Sequence, residues 1–341
     1  MTGSIKEIAK IAKVSRGTVD RALNDRPGVN YEVAQRIRKI ADEMGYKPNV
    51  VAKALATHRR VTVIGVVICS EGNLFFDDVL AGIEAARQEY FDFGITVKVL
   101  KMKGYNPQQQ LELIESLRKK GLDALAITPV SDPKVRDTLN EMIGEGIPVV
   151  CFNLDLAEVN YIAYVGCDYY KSGETLGGMI GYVTGGKALV GVITCLSVLE
   201  GAQKRVEGCR HVLSEAYPEC RIVKVLEAGD DEEVSYQMTM KMLSEHKEID
   251  TLCFIAGGVV GGLQAVCELG LENRLKIFTF DMTPAAIEGI KKGIIQSTIC
   301  QQPYEQGYLS IKTLFEVLLN DHYPDSDHIY TELNIKIKYN V

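Results

Sequence analysis

Nine cysteines are scattered singly along 341 residues, and none forms a Cys-x-x-Cys pair. An odd, unpaired set suggests neither a disulfide framework nor a zinc site. The five histidines are equally dispersed. No run of about 18 apolar residues is available to span a membrane. The N-terminus enters a helical pattern at once, so no secretory signal is expected. No Ser/His/Asp or Cys/His arrangement stands out for nucleophilic catalysis. Gly181-Tyr-Val-Thr-Gly-Gly-Lys187 has P-loop spacing up to its lysine. Ala188 then offers no hydroxyl for Mg²⁺, and the stretch precedes a strand where a P-loop follows one, so a helix stop and tight turn are expected. Gly257-Gly-Val-Val-Gly-Gly262 lacks the spacing of a dinucleotide fingerprint. These absences predict a cytoplasmic chain with reduced thiols, no metal, no cofactor and no catalytic centre.

What is present begins at Ser4. Ser4 and Glu7 stand as a capping box, and Ile5, Ile8, Ala9 and Ala12 follow at helical spacing. Ser15 opens a second helix with Val19, Ala22 and Leu23 on its inward face. The short link between the two makes them cross steeply, as in a helix-turn-helix. Arg16, Gly17, Thr18, Asp20 and Arg21 then form an outward, recognition-type face. A third helix is predicted from a cap at Asn30, an apolar stripe of Val33, Ile37, Ile40, Ala41 and Met44, and a stop at Gly45.

Charge divides along the same boundary. Residues 1–60 hold 13 Lys and Arg against 6 Asp and Glu, whereas residues 61–341 hold 25 against 39. A basic head on an acidic body suits phosphate binding, because affinity there comes from neutralising phosphates and releasing counterions. The first sixty residues therefore point to double-stranded DNA.

From Val61 the pattern changes. Apolar runs at 61–69, 95–100, 124–127, 148–152, 188–194, 222–226, 251–255 and 277–280 alternate with amphipathic stretches such as 108–119, 133–144, 205–216 and 285–292. Such alternation predicts right-handed βαβ units and parallel sheets covered on both faces. About 280 residues exceed one sheet's usual size, so two doubly wound α/β lobes are expected. Ligands in such folds bind outside the carboxyl ends of strands. The residues there include Ser70, Asn73, Phe75 and Phe76, then Asn153, Asp281 and Gln301, with Arg205 opening a helix. Asp, Asn, Gln and Arg pair with hydroxyls while aromatic faces pack on the C–H surface of a sugar ring, so a polyol is the expected ligand. An Asp at a strand's end can equally be a helix cap, and the Phe pair can equally be core.

Two other classes share this body: an enzyme of carbohydrates or nucleotides, and an exported solute-binding protein. Both are disfavoured by the DNA-binding head.

Over essentially its full length the chain resembles the lactose-repressor (LacI/GalR) family. The resemblance rests on Ile5-Lys-Glu-Ile-Ala-Lys, Val14-Ser-Arg-Gly-Thr-Val-Asp-Arg-Ala-Leu-Asn24 and Gly45-Tyr-Lys-Pro-Asn49. It implies that Arg16, Gly17 and Arg21 face the major groove, and that Ser4, Ser15 and Thr18 hold phosphates, with Asn24 beside them. It also implies a hinge helix in 49–60, with Lys53 in place of a hinge Arg and Leu55 as the wedge that kinks DNA at the minor groove. For the body it implies a periplasmic-sugar-binding-protein fold and adds Asp168 to the effector residues Ser70, Asn73, Phe75, Phe76, Asn153, Arg205, Asp281 and Gln301. The expected division is a head at 1–48, a hinge at 49–60 and a sensor at 61–341. Lobe 1 would take about 61–165 plus 297–327, and lobe 2 about 166–296 plus 328–341. Four departures stand out: Asn153-Leu154 in place of an Asp-Arg pair, Ala256-Gly257-Gly258 in place of Asn-Asp, Lys13 in place of a turn Gly, and Lys53. The pocket changes suggest a bulkier or less polar effector than a simple aldose. The expected function is a homodimeric DNA-binding regulator, a repressor by the family's commoner habit, that reads a pseudo-palindromic operator under control of a sugar or sugar derivative bound between the lobes.

Overall fold

A computed structural model describes residues 5–23, 27–44, 61–69 and 71–341 of the chain. Ser4, Asn24, Gly45, Lys53, Leu55, Ser70 and the hinge at 49–60 lie outside the described residues. Two units follow one another, Met1–Arg59 and Arg60–Val341.

The first unit contains α1 (Ile5–Ala12), α2 (Arg16–Leu23) and α3 (Tyr31–Glu43). Ile8, Ala9, Ala12, Val19, Ala22, Ala34, Ile37 and Ala41 are buried together at their meeting point. Lys13 makes the turn between α1 and α2 with φ 54°, a left-handed conformation that a side chain adopts at a cost of about 1 kcal/mol. Ser15 Oγ accepts from the amide of Thr18 at 3.1 Å and so caps α2. Asn30 Oδ1 accepts from the amide of Glu32 at 2.9 Å. Arg36 Nη2 donates to the carbonyl of Ala12 at 3.0 Å, satisfying one of the open carbonyls at the end of α1.

The second unit consists of two lobes. Lobe 1 is built on β1 (Thr62–Ile68), β2 (Ile95–Lys101), β3 (Ala124–Ile127), β4 (Val149–Phe152) and β5 (Ala163–Gly166). Helices α4 (Phe75–Tyr90), α5 (Pro107–Arg118) and α6 (Pro133–Gly144) connect them. Lobe 2 starts with α7 (Tyr169–Thr184), β6 (Lys187–Thr194), α8 (Glu200–Ala216), β7 (Glu219–Glu227) and α9 (Glu232–Glu245). It continues with β8 (Thr251–Phe254), α10 (Val259–Glu268), β9 (Lys276–Phe280), α11 (Pro284–Lys292) and β10 (Ile295–Cys300). The chain then returns to lobe 1 as α12 (Pro303–Asn320) and β11 (His328–Tyr330), and ends in lobe 2 with β12 (Asn334–Lys336).

The sheet orders are β2-β1-β3-β4-β5-β11 and β7-β6-β8-β9-β10-β12. They are the same order used twice. Among the described residues, only β12 runs antiparallel to its neighbour. All seven residues of β1 are buried, as a parallel strand with helices on both faces requires. Proline at the first turn of α5, α6 and α11 follows a capping Asn106, Asp132 and Thr283; there its missing N–H leaves no bond unmade.

The chain changes lobe after residues 166, 300 and 330. The last two crossings fall four and three residues beyond the expected 296 and 327, because residues 297–300 complete β10 beside β9, and His328 pairs with Tyr164 in the first sheet. The strand-like pattern at 335–341 yields only a three-residue strand. The glycine run at 185–186 is the predicted helix stop: both residues have positive φ, at 66° and 82°, directly before β6.

Helices within each lobe pack backbone against backbone. A Cβ on Gly82 of α4 would lie 2.0 Å from the carbonyl oxygen of Tyr304, and one on Gly307 of α12 would lie 2.1 Å from that of Val79. Gly173 and Gly208 make the same reciprocal contact between α7 and α8, each 2.1 Å from a carbonyl oxygen.

Candidate functional site

Both sheets reverse winding direction at one point, between β1 and β3 and between β6 and β8. Loops diverge there and leave a crevice at the strands' carboxyl ends. One cleft is lined from both lobes and encloses about 970 Å³ of empty space, its open mouth included. Lobe 1 contributes Asn73, Phe75 and Phe76 after β1, Tyr105 after β2, and Asn153 and Leu154 after β4. Lobe 2 contributes Cys195, Arg205, Asp230, Glu232, the 255–260 segment, Phe280, Asp281 and Thr283. Gln301 lines it at the second crossing between lobes.

Arg205 is the centre of the polar wall. It is only 5% exposed, and such a charge needs partners on most of its donors. Nε donates to Ser172 Oγ at 3.1 Å, Nη1 to the carbonyl of Ile255, and Nη2 to Gln301 Oε1 at 3.4 Å and Cys167 Sγ at 3.8 Å. Its guanidinium carbon lies 3.8 Å from the ring centre of Phe280 and 4.7 Å from that of Tyr169, within cation–π range of both. Gln301 carries the network onward, donating to Asp281 Oδ2 at 3.0 Å. The other carboxylate oxygen of Asp281, Oδ1, is buried and has no partner among the described residues. Burial pushes this carboxyl up to about 6, while the nearby Arg205 charge pulls it down by less. Asp281 holds a left-handed conformation, φ 65°, at the end of β9.

The predicted effector residues divide clearly. Asn73, Phe75, Phe76, Asn153, Arg205, Asp281 and Gln301 are gathered on one cleft. Phe75 and Phe76 are both wall and core: their rings meet edge to face at 5.2 Å and are buried in the lobe 1 core. Asn153 turns inward, with Nδ2 donating to Gln306 Oε1 at 3.3 Å. Asp168 departs from expectation. It is absent from the cleft wall, and its carboxylate accepts from the amide of Lys171 at 2.9 Å as the cap of α7. The neighbour Tyr169 takes the place on the wall.

Tyr105, Asp230 and Glu232 went unpredicted. Tyr105 OH donates to Asp230 Oδ2 at 2.6 Å, and Asp230 Oδ1 accepts from the amide of Gly257 at 2.8 Å. Glu232 Oε2 accepts from the amide of Gly261 at 2.8 Å. Their signal was position alone, since all follow the ends of recognised strands. The glycines of the 257–262 run also find an explanation in packing: a Cβ on Gly261 would lie 1.9 Å from the carbonyl oxygen of Glu232, and one on Gly262 would lie 1.9 Å from the ring of Phe254.

In the first unit, the outward face of α2 presents Arg16, Gly17 and Arg21 to solvent, with Thr18 and Asp20 half-buried. The hydroxyls of Ser15 and Thr18 stand 2.9 Å apart at the start of that helix.

Residues 4–49 match the bacterial regulatory proteins of the lacI family, and residues 64–321 match the periplasmic binding protein domain. The chain belongs to the lacI family. This lacI-family protein is 25% identical over 323 residues to the ribose operon repressor of Haemophilus influenzae, spanning 93% of this chain and 92% of that one. It is 26% identical over 289 residues to catabolite control protein A of Priestia megaterium, 83% of each chain. The fold of the second unit is that of a glucose–galactose binding protein from Geobacillus stearothermophilus, with TM-score 0.77 at 23% identity over 83% of this chain and 99% of that one. A solute-binding protein from Bacillus halodurans with bound myo-inositol matches with TM-score 0.76 at 21% identity, over 83% and 97%. The exported-protein alternative fails on the helix-turn-helix, and the lacI-family chain is a DNA-binding transcriptional regulator. Among the described residues, no helix is long and apolar enough to cross a membrane.

Proposed function

We propose that this regulator is a homodimeric repressor whose operator affinity is set by a sugar or sugar derivative held in the cleft between the two lobes. The observation that carries the reading is the cleft wall itself. The buried Arg205–Gln301–Asp281 network ends in a carboxylate oxygen without a partner among the described residues, on a cleft that the Phe75–Phe76 pair also lines. Carboxylate and amide groups accept from sugar hydroxyls, and ring faces cover the C–H side of a pyranose.

In the head, Arg16, Gly17 and Arg21 would face base edges, where arginine reads guanine in the major groove. Ser15 and Thr18 would approach phosphates. One short helix reads too few base pairs to define a site, and two-fold symmetry doubles them. The effector changes operator affinity only by its differential affinity for the two states of the protein. No catalytic step enters this reading.

A thermal-shift screen of the full chain against sugars and sugar alcohols, followed by operator binding with each hit, tests it. A hit raises stability with the logarithm of concentration over Kd, and the expected outcome is that the same compound alters operator affinity. A compound that stabilises the protein without altering operator binding would sink the coupling. Light scattering that finds only monomer with operator DNA would sink the dimer.

A further inference from the structure

The charges on the cleft have an uneven distribution. Among the described lining residues, Asp230, Glu232 and Asp281 are acidic and Arg205 alone is basic. Asp78 on α4 adds to the field felt by Asp281. The single cation is already committed. Its Nε and both Nη nitrogens donate to Ser172, Ile255, Gln301 and Cys167, and the ring centres of Phe280 and Tyr169 lie 3.8 and 4.7 Å from its guanidinium carbon. A guanidinium has five N–H donors, so at most about one remains for a ligand, too few for the two-pronged grip by which arginine holds a phosphate or carboxylate.

The acceptor side is the reverse. Asp281 Oδ1 is buried without a partner among the described residues, and Asp281 lines the same cleft. An acceptor in that condition favours a ligand that brings a donor to it. An anion placed there would meet carboxylates at short range in a partly desolvated site, where like-charge repulsion is weakly screened. Selectivity of this kind arises from repulsion of the wrong ligand as much as attraction of the right one.

We infer that the effector is a neutral or amine-bearing polyol whose hydroxyl or ammonium group donates to Asp281, and that the carboxylates of the cleft exclude sugar phosphates and sugar acids. This inference rests on the proposed sugar reading of the cleft and narrows it.

The test is calorimetry on the full chain at pH 7.5 with matched sets. Glucose, galactose and mannose are each compared with their 2-amino, uronate and 6-phosphate forms, and myo-inositol with its monophosphate. The expected result is binding by neutral or amino members, with each anionic form at least tenfold weaker than its parent. An anionic form binding as tightly as its parent would overturn the inference and leave the sugar reading standing. Failure of every member, whatever its charge, would overturn the sugar reading and this inference with it. Glu232→Gln should narrow the gap between neutral and anionic forms about threefold; an unchanged gap would remove selectivity from these carboxylates.

Discussion

The hydroxyl of Tyr105 and the Oδ2 of Asp230 lie 2.6 Å apart, although the first belongs to lobe 1 and the second to lobe 2. Asp230 is held for the contact by the amide of Gly257 and by a left-handed backbone, φ 62°. A hydrogen bond to a charged acceptor contributes about 1.5 kcal/mol or more. Tyr105→Phe keeps the ring and removes the bond, so it shifts the lobes toward separation. Effector affinity should fall about fivefold to tenfold by calorimetry, with operator binding in the absence of effector unchanged. Unaltered effector affinity would show that the bond does not favour the closed arrangement.

Asp281 supplies a pH signature. Its native carboxyl titrates at about 6 against 3.8 for the ordinary group. The folded chain therefore holds more protons than the unfolded chain between roughly pH 4 and 6, and this group makes stability fall as pH rises through that window. Asp281→Asn removes the penalty. The variant should be more stable than its parent by about 1–2 kcal/mol at pH 7.5 and nearly equal to it at pH 3.5. Melting temperatures of both proteins at the two pH values, without ligand, check this. A difference independent of pH would refute it.

The glycine contacts predict a sharp positional contrast. Gly82→Ala and Gly173→Ala place a methyl group about 2 Å from a carbonyl oxygen of the facing helix, Tyr304 or Arg205. Forcing the helices apart should destabilise each by about 3 kcal/mol. Gly144→Ala, at the end of α6 with nothing within 4 Å of the new methyl group, should be neutral or stabilising by up to about 1 kcal/mol. Urea titrations of the three variants decide it, and equal effects would contradict the close packing.

Arg21 is exposed on the outer face of α2. Arg21→Ala should weaken specific operator binding by at least tenfold, since a bidentate base contact is worth about 1–3 kcal/mol, while effector-induced thermal stabilisation stays intact. Gel shift and thermal shift on the same preparation check both halves. Loss of both in a folded protein would mean that the two activities share residues.

The fold was readable where a residue's local chemistry and its tertiary role coincide. Buried strands such as β1 announce themselves because both faces are covered. Helix starts at Asn106-Pro107 and Asp132-Pro133 do so because a cap and a missing N–H act within one turn. Edge strands gave less signal: His328–Tyr330 is half-exposed and owes its form to a partner far along the chain. The cleft followed the same division. Asp281 and Gln301 sit directly at strand ends, and Asn73 in the loop after β1, and they were found there. Asp168 sits in an equivalent place, yet its own next turn takes its carboxylate as a cap. Tyr105 and Asp230 gain their meaning from one another across 125 positions, which no local pattern encodes.

The three crossings between lobes have a consequence for biosynthesis. Lobe 1 begins the second unit, but Ile311, Leu314 and Phe315 of α12 belong to its core, and Phe315 stacks on Tyr90 at 3.9 Å. Its edge strand arrives later still, with His328. Strands β1–β5 and β6–β10 are each one unbroken stretch, but the buried core of lobe 2 is drawn from residues 176–299 alone, whereas that of lobe 1 needs α12. Short loops close at smaller entropic cost than long ones. The half that leaves the ribosome second therefore carries its whole buried core within its own stretch, and the half made first must wait for α12 before its core is closed.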